Sequence, residues 1–294
     1  MITRHASAAL FVLVVCLAPI SAHAQTDDHS GSILRLTLTD GSQVYGHVDA
    51  SDDLQVTFRT LADVVMTVPR SRIVELRAVE GRVVGGSFEP SDPHSNRLMF
   101  APTARSLRKG EGYFGVYYVL PFVQVGVTDR ISIGGGTPLF FGDGAHPVWF
   151  TPKVQIVSGR RVQAAAGLIH LTGIEGINAG IAYGVTTIGS DSDAMSIGLG
   201  YGYSGRRSGR PILMVGGEHR QSRRIKLITE NWYWGGDVPG FVSGGLRFLG
   251  ERLSADVSLV VPLMSETVAF PIVIFAVFTA AAFGSALWAL SRES

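Results

Sequence analysis

Thiol chemistry is almost missing from this 294-residue chain, whose single cysteine is Cys16. Cys16 falls within Met1 to Gln25, which reads as a secretory signal. Arg4 and His5 open it, Ala8 to Leu17 form an apolar run, and Ala22-His23-Ala24 supplies a small-x-small cleavage site. The run is short for a bilayer span and ends in that processing site, which favours cleavage over an N-terminal anchor. Bulky Val15 disfavours a lipid anchor on Cys16. The mature chain then holds no disulfide, cysteine-based metal site or thiol nucleophile.

Charge is also scarce. Charged residues make up 17% of the chain, against about a quarter in an ordinary soluble domain. The 25 basic and 24 acidic residues leave a net charge of +1, which argues for no nucleic-acid partner. The chain lacks a glycine-rich phosphate loop with its lysine, a His-Glu-x-x-His pair and a Gly-x-Ser-x-Gly elbow. His94, His146, His170 and His219 are scattered without metal-ligand spacing. No catalytic, cofactor-binding or metal site is expected. A lipid-modifying hydrolase would have only His170 and His219 to draw on, with no positioned acid or nucleophile.

Hydrophobic residues reach 46%, glycine numbers 36 and the mean hydropathy is +0.26. Their arrangement carries the fold class. After a polar linker at 25–32, residues 33–80 show short strands. Leu34, Leu36 and Leu38 alternate with Arg35, Thr37 and Thr39, and Asp40-Gly41 turns the chain into Gln43 to Val48. Further strands are predicted at Leu54 to Thr60, Val64 to Val68 and Ile73 to Arg77. The Asp-Gly-Ser turn before Val44-Tyr45-Gly46 resembles the opening hairpin of SH3-like and Sm-like small barrels. That pattern implies a module for packing or for contact with periplasmic or envelope proteins, and fold analogy adds no function.

A linker at 81–95, with Gly85-Gly86, Pro90 and Pro93, precedes a region of different rhythm at 96–279. In Ser196-Ile197-Gly198-Leu199-Gly200-Tyr201-Gly202-Tyr203-Ser204 one face is Ile, Leu and Tyr and the other only Ser and Gly. Leu253, Ala255, Val257 and Leu259 alternate in the same way with Ser254, Asp256 and Ser258. A large apolar face opposite a small or polar one is what a membrane barrel wall requires. Closure leaves no backbone edge unpaired in lipid. The fold class is therefore all-β: an antiparallel transmembrane-type barrel of about twelve strands behind a small SH3-like domain. Thirteen segments qualify, from Arg97–Leu107 to Pro271–Phe278. Tyr117, Tyr118, Phe140, Phe141, Trp149, Phe150, Trp232, Tyr233 and Trp234, near strand ends, suit interfacial girdles.

Arg105-Ser106-Leu107-Arg108-Lys109-Gly110-Glu111-Gly112-Tyr113, Thr151-Pro152-Lys153, Gly216-Gly217-Glu218-His219-Arg220, Asn231-Trp232 and Gly244-Gly245-Leu246-Arg247-Phe248 together resemble an uncharacterised bacterial outer-membrane β-barrel family. The resemblance spans most of 95–265. It implies location and architecture, with membrane lipid as the partner, and no activity.

Thr267 to Leu290 permits two readings. Pro271 to Phe278 closes the barrel with 280–294 as an apolar extension, or 267–290 is a transmembrane helix. β-branched Ile272, Val273, Ile274 and Val277 favour the strand.

One cluster bears on function. Glu218, Arg220, Lys226, Glu230, Arg247 and Asp256 all fall at lumen phase on four adjacent strands. Inside a narrow barrel such charges must be paired or hydrated. A salt-bridged, plugged lumen makes the chain a non-enzymatic structural or interaction protein exported to the outer membrane of a Gram-negative bacterium. The alternative is a passive pore or transporter for small polar solutes.

Overall fold

The computed structural model describes residues 32–118, 120–139, 147–174, 177–205, 207–235, 239–251, 253–263 and 273–281. The signal at 1–24, Phe140 and Phe141, and 282–294 lie outside these residues.

Five short strands form a first sheet: β1 (Leu34–Leu38), β2 (Gln43–Ser51), β3 (Gln55–Thr60), β4 (Val65–Pro69) and β5 (Ile73–Ala78). Their order is β4-β3-β2-β1-β5, all antiparallel. Period-two alternation aims Leu34, Leu36 and Leu38 inward, where they meet Phe58 and Val68 in a closed apolar cluster. Gly41, at φ +83°, supplies the left-handed turn between β1 and β2. Part of 81–95, expected to be linker, is paired: β6 (Gly81–Val84) and β7 (Ser87–Pro90) form a hairpin across the Gly85-Gly86 turn.

The remaining strands are β8 (Gly112–Tyr117), β9 (Leu120–Gly126), β10 (Ile131–Gly136), β11 (Val148–Phe150), β12 (Lys153–Ser158), β13 (Val162–Ile174), β14 (Ile177–Gly189), β15 (Asp193–Ser204), β16 (Arg207–Ser222), β17 (Ile225–Tyr233), β18 (Gly240–Leu249), β19 (Leu253–Leu263) and β20 (Val273–Ala281). Sequential neighbours pair antiparallel from β12 to β20. β20 pairs with β8, β8 with β9, and β9 with β10. β11 and β12 both lie between β10 and β13, separated by Thr151-Pro152, and so share one wall position. The pairings thus run in a ring of twelve positions.

Connections at one end are uniformly short: 127–130, 159–161, 190–192, 223–224 and 250–252. The other end includes the longer segments 137–147, 234–239 and 264–272. The small sheet sits at the short-turn end, where Glu251 of the β18–β19 turn meets Arg35 and Arg77.

Alternation along the wall is inverted relative to a soluble protein. Ile197, Leu199, Leu213, Leu227, Phe248, Val257 and Leu259 are exposed on the outside, while Ser196, Ser254, Ser258 and the charged residues are buried inside. An outer face this apolar, over this many strands, is suited to lipid rather than water.

Three expectations need correction. Arg97–Leu107 is not a wall strand. Its apolar residues are contiguous at Leu98–Ala101 rather than alternating, and Pro102 removes a ladder donor. The segment instead lies inside the ring, where Leu98, Met99, Ala101, Ala104 and Leu107 are buried. The helical reading of 267–290 also fails over its described part, because 273–281 is a strand paired on both edges. Among the described residues no helix is long and apolar enough to cross a membrane. The girdle divides by phase: Tyr118, Phe150 and Tyr233 are exposed, whereas Tyr117 and Trp232 are buried inside and Trp149 and Trp234 pack against interior clusters.

Candidate functional site

The interior of the ring is occupied by the chain segment that leads into β8. Residues 91–107 enter from the short-turn end and make a tight reversal, with a bridge between Arg97 and Pro102, and 108–111 return to that end, where Arg108 and Lys109 are exposed. Such an irregular segment carries unpaired backbone groups, and inside the ring these need polar partners from the wall. Strands β8, β12, β14, β17 and β18 supply them at inward positions.

Lys153 of β12 donates from Nζ to the carbonyls of Asn96 (2.9 Å), Thr103 (2.9 Å) and Arg105 (2.5 Å). Gln155 reaches the Ala104 carbonyl at 2.9 Å, and the Ala104 amide donates to Thr187 Oγ1 at 2.9 Å. On the opposite wall Glu230 accepts the amides of Phe100 (2.8 Å) and Ala101 (2.9 Å) and the Trp232 indole N–H (2.8 Å). The reversal of the plug is therefore held between an ammonium that binds carbonyls and a carboxylate that binds amides.

Below the reversal the contacts become ionic. Arg247 lies fully buried at 0% exposure. Its Nε and Nη2 donate to Asp256 at 2.7 and 2.9 Å, and its Nη1 donates to Asp92 at 3.0 Å. Arg247 also donates to the carbonyls of His94 (3.2 Å) and Leu98 (2.5 Å). Arg97 Nη1 adds a second cation to Asp256 at 3.0 Å. Lys226 joins Asp92 to Glu218, at 2.9 Å from each, and Arg105 caps Glu218. Ser254 Oγ and His94 Nδ1 are 2.8 Å apart. Every buried carboxylate of the cluster holds charged or amide partners, which offsets part of the desolvation cost. Arg97 Nε and Nη2 and Arg105 Nε are buried without a hydrogen bond among the described residues.

Of the residues expected at lumen phase, Glu218, Lys226, Glu230, Arg247 and Asp256 meet the plug in this way. Arg220 does not join them. The β16–β17 register shifts beyond it, and its guanidinium reaches the Pro90 carbonyl (3.2 Å) and the Arg223 carbonyl (3.0 Å) at the rim. Sequence reasoning missed Asp92, Arg97, Arg105 and Lys153. The last two lie in segments singled out for resemblance, yet their partners are 48 to 113 residues away.

His170 and His219 are not brought together. His170 Nδ1 lies 2.7 Å from the Tyr203 hydroxyl toward the long-connection end. His219 pairs with Asp193 at 2.5 Å near the short-turn end, both side chains about 60% exposed. No group of three or more metal-ligating side chains occurs among the described residues.

A second contact zone joins the small sheet to the ring. Glu251 accepts from Arg35 Nη1 (2.8 Å), from the Tyr45 hydroxyl (2.7 Å) and from Arg77. Three strands of the sheet thus converge on one carboxylate. Burial pushes the Glu251 carboxyl up, but the Tyr45 hydroxyl and the two guanidiniums outweigh it, leaving the group below the ordinary glutamate range. Arg82 of the hairpin adds a bond to Ser192 Oγ at 2.6 Å.

No family model and no curated protein matches this chain. Among solved structures it is similar to the KdgM porin, at 8% identity and a TM-score of 0.44, covering 59% of this chain and 98% of that one. It is also similar to OmpT, an outer membrane protein of Vibrio cholerae, at 12% identity and a TM-score of 0.32, covering 85% and 94%. A loop L8 deletion mutant of OmpT gives 11% and 0.33. At these values the likeness transfers no residue role.

Proposed function

We propose that the chain is an outer-membrane β-barrel sealed by its own N-proximal segment, which anchors a small SH3-like module at the periplasmic face. The observation that carries this reading is the interior cluster of Asp92, Arg97, Arg105, Lys153, Glu218, Lys226, Glu230, Arg247 and Asp256, which fixes residues 92–105 across the lumen beneath an apolar outer wall. Buried ion pairs that bridge the lumen oppose a continuous aqueous path for solutes. This favours a structural or interaction role over a passive pore.

Orientation follows from connection length. Outer-membrane barrels carry short periplasmic turns and longer extracellular loops. That rule sets 127–130, 159–161, 190–192, 223–224 and 250–252 in the periplasm together with the module docked on Glu251. The module then presents its free surface to periplasmic or envelope proteins, and membrane lipid surrounds the wall. His170 and His219 stand at opposite ends of the wall and so do not form one site.

Membrane fractionation with gel mobility before and after heating tests this. Recovery in the outer membrane with a faster-running unheated band is expected. Recovery in the inner membrane, or in the soluble fraction, overturns the assignment.

A further inference from the structure

Beyond the plug, toward the long-connection end, the interior changes chemistry. Inward positions there are Ile169, Ile181, Ile212 and Trp234, although a water-filled lumen is lined by polar side chains. They border a cavity of about 820 Å³, within the usual size range of small-molecule sites. The tip of the plug carries Phe100, 40% exposed, with its ring against Tyr117 and Trp232. The plug makes the space blind on the periplasmic side, so what enters from outside binds rather than passes through. Among the described residues that line it, Arg210 carries the charge. Arg210 shares the inward phase of Ile212 on β16, is exposed, and makes no side-chain hydrogen bond or ion pair among the described residues.

We propose that this cavity binds a single-chain amphiphile with an anionic head. Its alkyl chain lies on Ile169, Ile181, Ile212 and Trp234, and its head pairs with the Arg210 guanidinium. Apolar walls account for the chain, because filling them releases water from surface that otherwise stays wet. The Arg210 guanidinium at their edge accounts for the head, since its planar donor fork matches a carboxylate or a phosphate. The site is separate from the ionic cluster, and its occupancy does not require the plug to move.

Equilibrium dialysis of radiolabelled ligands against the full-length protein in nanodiscs, with empty nanodiscs subtracted, tests this. Decanoate, decyl phosphate and decanol are the probes. Saturable one-site binding of decanoate or decyl phosphate is expected, and the tighter of the two identifies the head group. Decanol should bind about tenfold more weakly, the loss of one charge-assisted contact. Arg210→Gln should lower the anionic affinity by a similar factor and leave decanol unchanged. Ile212→Asp should abolish binding of all three, and the heat-modifiable gel shift reports whether that variant still folds. Absence of saturable binding above empty nanodiscs overturns the proposal. So does an Arg210→Gln variant that binds both anions like the parent.

Discussion

Arg247→Met is the most informative single change in this protein. The substitution keeps much of the side-chain volume and removes the guanidinium that ties β18 to Asp92, Asp256 and two plug carbonyls. Summing five charge-assisted bonds at about 1.5–3 kcal/mol each would account for the whole stability of a typical domain, about 5–15 kcal/mol. That sum does not apply, because Asp92 retains Lys226 and Asp256 retains Arg97. The relevant quantity is the cost of leaving a buried ion pair half empty, about 3–5 kcal/mol. Urea unfolding of the protein in phospholipid vesicles, followed by tryptophan fluorescence, measures it. A double-mutant cycle with Asp256→Asn should give a coupling above about 1 kcal/mol, as for contacting residues. A loss below about 1 kcal/mol with no coupling is the behaviour of a hydrated surface pair, and would refute the sealed interior.

Exposed charges provide the contrast: Asp193→Ala, which removes the exposed contact with His219, should cost less than about 1 kcal/mol in the same assay. Gly216→Val should dislodge the plug, since a side chain there collides with Leu98 and with the Thr229 carbonyl; new protease cleavage within 91–107 checks this. Docking of the small module should depend on pH through Glu251. Its carboxyl is held below the ordinary value, so the contribution is full above about pH 4.3 and fades as pH falls through the depressed value. Spin-label distances between β2 and the β18–β19 turn should therefore be constant at neutral pH and lengthen in acid. Glu251→Gln should lengthen them at neutral pH.

The wall was legible because side-chain alternation is local. Ser196, Gly198 and Gly200 mark the inward phase of β15 without reference to any other strand, and Asp256 takes its phase from Ser254 and Ser258 beside it. The same logic placed Lys226, Glu230 and Arg247 inside. It failed at Arg220, where the strand ends and the register shifts beside the rim. It also failed for girdle aromatics, since Trp232 and Trp234 share the phase of Glu230 while Tyr233 takes the opposite one. The plug was not legible. Residues 91–107 have no period, and their order comes from wall groups such as Lys153, Thr187, Glu230 and Arg247, distant in sequence. Read locally, Arg97 to Leu107 is only an apolar stretch with charges at its ends. The five-stranded sheet was the easier case, because its hairpins close within a few residues of one another.

Planar-bilayer conductance of the purified full-length protein tests the sealed barrel most directly. Silent insertion is predicted for the parent, and steady ohmic current for Gly216→Val and for Lys153→Met, which removes the ammonium that binds three plug carbonyls. Steady current from the parent protein itself would contradict the account.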